Sequence, residues 1–158
     1  MKQSSEDPKD RITLDHLGIA VPSLAEAVRF YEQTLGIRVS GYETIAPEKT
    51  RVALLPVGGT RIELLEPTEP DSPIGRFLAR RGGGLHHICL RVPDLAAAIA
   101  RLRESGMKLI SEEPGIGAGG HRYVFVHPSS AGGVLLELVE TQPSEPHATA
   151  SGSTGTDL

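Results

Sequence analysis

Two histidines and two glutamates recur in this chain at nearly constant spacing, in a pattern suited to holding one divalent metal ion. His16 lies in Leu14-Asp15-His16-Leu17-Gly18-Ile19-Ala20-Val21-Pro22, and His87 in Leu85-His86-His87-Ile88-Cys89-Leu90-Arg91-Val92-Pro93. An offset of 71 (87 less 16) superposes the histidines and the Val-Pro pairs, then Leu24 on Leu95 and Val28 on Ile99. Each copy ends with a carboxylate inside an apolar run, Glu63 in Arg61-Ile62-Glu63-Leu64-Leu65 and Glu137 in Leu135-Leu136-Glu137-Leu138-Val139, at an offset of 74 (137 less 63). A duplicated His…Glu module offers four ligands, His16, Glu63, His87 and Glu137, to one ion. Two imidazoles and two carboxylates, completed by water, suit an octahedral divalent ion of the cobalt, manganese, nickel, iron or zinc group. The single cysteine, Cys89, leaves no thiolate cluster, so histidine and carboxylate must carry the site.

The elements that position these residues follow from their periodicities. Side chains alternate along a strand, so His16 shares a face with Gly18 and Ala20, and His87 with Cys89 and Arg91. The small residues beside His16 leave space there. The opposite faces, Leu17, Ile19 and Val21 or Ile88, Leu90 and Val92, are apolar and should pack on helices; His86 falls on that opposite face. Glu63 and Glu137 alternate with apolar neighbours and should face the same side as the histidines. A carboxylate so placed costs several kcal/mol to desolvate unless it is paired or bound to a cation.

After each histidine strand comes a helix start, Ser23 with Glu26 as a capping box in the first copy and Asp94 in the second. Leu24, Ala27, Val28, Tyr31 and Leu35 share one helical face, as do Leu95, Ala98, Ile99 and Leu102. Gly36 and Gly106 supply the stops. Short strands follow, over about 37–45, 50–57 and 60–66, then over about 107–112, 121–127 and 133–140. The glycine-rich stretch 115–120 has no following Gly-Lys-Ser/Thr and is not a phosphate-cradling loop. The pattern is α+β, βαβββ twice. A tail over 1–10 precedes a first module over 11–68; a linker with a short helix and a triple glycine spans 69–84; a second module covers 85–141, and a disordered tail 142–158.

Composition narrows the partners. A net charge of -4 with 4% aromatic residues provides no basic stripe for nucleic acid. No apolar run approaches the roughly 20 residues that cross a bilayer, and the start lacks a signal-peptide core. The expectation is a soluble, cytoplasmic chain without nucleic-acid or membrane partners. Cys89 reads as a small apolar filler, His127 as a turn residue before Pro128, and His121 as a neighbour of the glycine stretch within reach of a substrate.

Paired βαβββ modules with a metal between them resemble the vicinal oxygen chelate, or glyoxalase, superfamily, whose modules curl their sheets into one cleft. Asp71-Ser72-Pro73-Ile74, Phe77-Leu78, Gly84-Leu85-His86-His87-Ile88, Ile116-Gly117-Ala118, His127-Pro128 and Gly133-Val134-Leu135-Leu136-Glu137-Leu138, in this order and spacing, resemble its methylmalonyl-CoA epimerase family over about residues 12–141. The resemblance implies His16, Glu63, His87 and Glu137 as ligands of one divalent ion per chain, cobalt first among those named above. It implies a CoA thioester substrate, and the exposed sheet edges of two such half-barrels add the expectation of a homodimer. It further implies that Glu48, in Ala46-Pro47-Glu48-Lys49, faces the substrate opposite Glu137, the two carboxylates serving as acid and base in removing and returning the proton at C2 through a metal-stabilised enolate. The same fold accommodates a lactoylglutathione lyase, an extradiol dioxygenase and non-catalytic resistance proteins that sequester a small molecule. The last generally lack the metal set.

Overall fold

The structure, a computed structural model, describes residues 10–117 and 120–141. The expected tails lie outside the described residues, apart from Asp10.

Strand β1 (Thr13–Ala20) leads into helix α1 (Leu24–Arg29), where the Glu26 N–H is accepted by Ser23 Oγ. The carboxylate that meets this first turn is Glu66, whose Oε2 accepts the Leu24 N–H at 2.6 Å. One turn of π-helix, Phe30–Thr34, continues α1 until Gly36 adopts φ 72° and stops it. Strands β2 (Gly41–Ile45), β3 (Thr50–Val57) and β4 (Thr60–Pro67) complete the first module. Helix α2 (Pro73–Arg81), capped by Ser72, ends at the glycine triplet, all three of whose residues have positive φ. The second module is β5 (Gly84–Val92), α3 (Leu95–Glu104, capped by Asp94), β6 (Gly115–Ile116), β7 (Arg122–Val126) and β8 (Leu136–Glu140).

All eight strands form one sheet in the order β2-β3-β4-β1-β5-β8-β7-β6. The order is a palindrome about the β1–β5 junction: β4 lies parallel to β1 on one side and β8 parallel to β5 on the other. Apolar residues on one face of each half-sheet pack on its helix. Leu24 and Val28 of α1 meet Ala53, Leu55 and Leu64, while Leu95, Ala98 and Ile99 of α3 meet Val124, Val126 and Leu138. The other face carries the ionisable residues.

The second module departs from the expected strands at its outer edge. Segment 107–112 makes only a bridge, Leu109 to Val126, and the expected loop at 115–116 is β6. The free edge of β7 is short and shared: β6 takes Arg122 and Tyr123, Leu109 takes Val126, and neither segment gains a full ladder. Strand β8 begins at Leu136 rather than at residue 133, because Gly132 and Gly133 turn the chain with φ 65° and 86°.

Candidate metal centre and acid–base cleft

Two β-bulges, one in each copy of the repeat, build the site. Strands β1 and β5 run antiparallel, with His16 opposite Cys89 and Gly18 opposite His87. Asp15 and His86 have no partner in this register and are the extra residues of the two bulges. They are equivalent under the 71-residue offset. A bulge breaks the alternation of faces, so neighbouring side chains point the same way. His86 therefore lines the same cavity as His87, not the helix-packed face that strict alternation predicts. Burial and the charge of His87 lower its pKa to about 4.

Gly18 has a specific steric function. A Cβ there would lie 2.2 Å from His87 Cε1 and 2.4 Å from Nδ1, so the space beside His16 is taken by the His87 ring. Gly18→Ala is expected to destabilise the chain by about 1–3 kcal/mol through overpacking. Urea denaturation checks this; a parental midpoint would show that the ring has room to move.

Three of the four expected ligands converge. His16 Nε2 lies 3.0 Å from His87 Nε2, and Glu137 Oε2 lies 3.4 Å from the first and 3.3 Å from the second. Glu63 stands at the other edge of His16, its Oε1 3.5 Å from Nδ1 and 2.8 Å from Arg61 Nε. The parallel register is the same in both copies, Glu63 pairing with Gly18 as Glu137 pairs with Cys89, so the difference lies in the side-chain partners, Arg61 above all.

Residues behind the histidines orient them. Asp15 Oδ2 is 2.8 Å from His16 Nδ1, and Asp15 is itself ion-paired to Arg61 and Arg91. These partners hold its carboxyl well below the usual range despite burial. His86 Nδ1 lies 3.0 Å from His87 Nδ1. Both histidine rings are thus engaged at Nδ1, which turns each Nε2 toward the other ring. Asp15 and His86 escape a reading based on strict strand alternation, whereas Arg91 and Arg61 keep the faces it gives them, two residues from Cys89 and from Glu63; the equivalence of positions 15 and 86 is the signal that marks the bulged pair.

Glu48 comes from a separate turn. Ala46–Glu48 form a 3₁₀ turn, and Lys49 then takes φ 51°, the only left-handed non-glycine conformation among the described residues. Buried Thr50 ties this turn to β3 by donating its hydroxyl to the Glu48 carbonyl at 2.9 Å. Lys49 Nζ reaches Glu69 at 2.6 Å. The Glu48 side chain lines the cavity with His87 and Glu137. Burial and the negative charge of Glu137 raise its pKa. Glu137 itself, which burial alone would raise, is pulled well below the ordinary range by His16 and His87. The cavity, about 630 Å³, is of the size that holds small-molecule ligands.

Residues 15–125 match the family model described as the Glyoxalase/Bleomycin resistance protein/Dioxygenase superfamily. The chain belongs to this superfamily. Among its relatives is the human mitochondrial methylmalonyl-CoA epimerase, 40% identical over 144 residues that cover 85% of this chain and 82% of that protein. The ethylmalonyl-CoA/methylmalonyl-CoA epimerase of Cereibacter sphaeroides is 42% identical, covering 79% of this chain and 95% of its own. A Streptomyces coelicolor methylmalonyl-CoA epimerase variant, solved in complex with 2-nitronate-propionyl-CoA, superposes with a TM-score of 0.77 at 38% identity over 82% of this chain and 94% of that one. The curved α+β sheet of paired modules is the glyoxalase-superfamily fold.

The donor set of this glyoxalase-superfamily cleft fits a divalent ion. His16 Nε2, His87 Nε2 and a Glu137 carboxylate oxygen face one another, and one positive charge among them satisfies all three. Two neutral imidazole lone pairs 3.0 Å apart would repel without a proton or a cation between them. Burial disfavours a charged His16, yet Asp15, Cys89, Glu137 and Glu63 together raise its pKa far above the usual histidine range. The surroundings favour positive charge at this point. No helix among the described residues is long and apolar enough to cross a membrane.

Proposed function

We propose that this chain is an isomerase that interconverts (2R)- and (2S)-methylmalonyl-CoA by removing and returning the proton at C2. The observation that carries the reading is a pair of carboxylates in one cavity, beside a cation-favouring cluster, whose pKa values are driven in opposite directions. The relatives named above support the substrate, a CoA thioester whose C2 lies between a thioester and a carboxylate.

Glu137, ionised, takes the proton from one face of C2. Glu48, protonated, delivers one to the other face, and the roles exchange for the reverse direction. Asp15 and His86 hold the imidazoles in one tautomer and orientation. A divalent ion held by His16, His87, Glu137 and Glu63 would supply positive charge beside the substrate oxygens as the enolate forms. Glu63 would exchange Arg61 for that role. Cobalt is the first ion to test, then manganese, nickel, iron and zinc. The reading extends to two modules, 11–68 and 85–141, each supplying one histidine and one glutamate, and to a cytoplasmic homodimer. The lone buried cysteine suits a reducing compartment, and exposed Tyr42 and Ile116 on the outer edge strands β2 and β6 suit self-association.

Incubating a single epimer of methylmalonyl-CoA with the protein in heavy water is expected to place deuterium at C2 and give both epimers, followed by NMR and chiral analysis. Unchanged substrate, with turnover only of the methylglyoxal–glutathione adduct, would sink the epimerase reading in favour of a lactoylglutathione lyase.

A further inference from the structure

The glycine-rich stretch makes room for an aromatic ring. Gly115 pairs with Tyr123 across β6 and β7, and a Cβ on Gly115 would lie 2.6 Å from Tyr123 Cζ and 2.7 Å from its hydroxyl oxygen. A Cβ on Gly117 would lie 3.3 Å from Cδ1. Tyr123 thus occupies space that any larger residue at these glycines would fill. Phe125 meets the ring edge-on at a centroid distance of 5.6 Å and meets the His87 ring at 6.0 Å. Held in this way, the Tyr123 hydroxyl donates to Glu48 Oε1 at 3.5 Å, joining the second module to the strained turn of the first. The bond is long, as hydrogen bonds of catalytic groups often are before substrate tightens the site. On its other side Glu48 is anchored through its backbone, by Thr50 and by the left-handed Lys49. Strain of this kind persists where surrounding contacts over-determine it.

We infer that Tyr123 is a positioning residue for Glu48, aiming its carboxyl at the substrate face opposite Glu137 and so governing proton return on that face. The inference rests on the epimerase reading and on the role of Glu48 within it. Two distinct outputs separate the two carboxylates. Glu137 alone can remove the C2 proton and return a solvent-derived one to the same face, which gives exchange with retention; inversion needs Glu48.

The test is Tyr123→Phe, which keeps the ring packing and removes only the hydroxyl, with Gly115→Ala as a second variant that pushes the ring aside. Both are incubated in heavy water with each epimer of methylmalonyl-CoA in turn, and the ratio is read on the epimer whose C2 proton faces Glu137, the one that still exchanges with retention in Glu48→Gln. The inversion kcat is expected to fall about tenfold, the rate equivalent of one ordinary hydrogen bond, with KM unchanged and exchange with retention preserved. A parental ratio of inversion to exchange in Tyr123→Phe overturns the inference, whether both rates stay parental or both fall together. Glu48→Gln, run alongside, tells the two failures apart. If it loses inversion while Tyr123→Phe keeps the parental ratio, only the role of Tyr123 fails; if it inverts at the parental rate, the role of Glu48 fails as well.

Discussion

Glu48→Gln is expected to slow epimerisation by about 10²–10⁴-fold, the usual contribution of a positioned acid or base. The amide has nearly the same shape and still accepts the Tyr123 hydroxyl, but it neither gives nor takes a proton at C2. Burial and the charge of Glu137 favour a protonated Glu48, the form that donates, and no carboxamide replaces it. The cation cluster should be untouched, because its donor atoms come from His16, His87 and Glu137. Initial rates with each epimer, read beside a titration with Co²⁺, check both halves of the expectation. Parental turnover would remove Glu48 from the chemistry, and loss of Co²⁺ binding would make it a ligand or a support of the cluster.

His16→Ala and His87→Ala should each abolish stoichiometric binding of a divalent ion and, with it, epimerase activity. Either change removes one of two imidazole donors that face each other at 3.0 Å and leaves Glu137 with one histidine partner. Loss of a partner that only orients a ligand typically weakens metal binding 10–100-fold, and loss of the ligand itself should exceed that. Calorimetric titration with Mn²⁺ and elemental analysis of the purified variants measure the effect. Binding as tight as the parent's in either variant would mean that the ion is held elsewhere. Both variants relieve crowding between the rings, so their folds should survive, and a circular dichroism spectrum verifies this.

Local patterns made much of this legible. The period of two in residues 14–21 and 85–92 and the period near 3.6 in 24–35 and 95–102 sufficed for the strands β1 and β5 and the starts of α1 and α3. Ser23 and Asp94 cap as their residue types predict. The outer edge of the second module was less legible. Whether 107–112 or 115–116 pairs with β7 depends on competition for a short free edge, a property of the assembled sheet.

The candidate site divides along the same line. The sequence by itself determined the duplication, the donor types and their assignment to strands, because these depend on residue identity and spacing alone. Only the tertiary structure decided which atoms meet. A one-residue bulge reverses the face of every side chain beyond it, so strand alternation could not reveal that Asp15 and His86 stand with the histidines. Glu63 faces the expected side, yet its carboxylate goes to Arg61 and the Nδ1 edge of His16, a choice made by competing charges two residues and 47 residues away. The contact from Tyr123 to Glu48 spans 75 residues and requires both modules to close on one cavity. Partners so distant in the chain are selected by packing and register, and no local period records them.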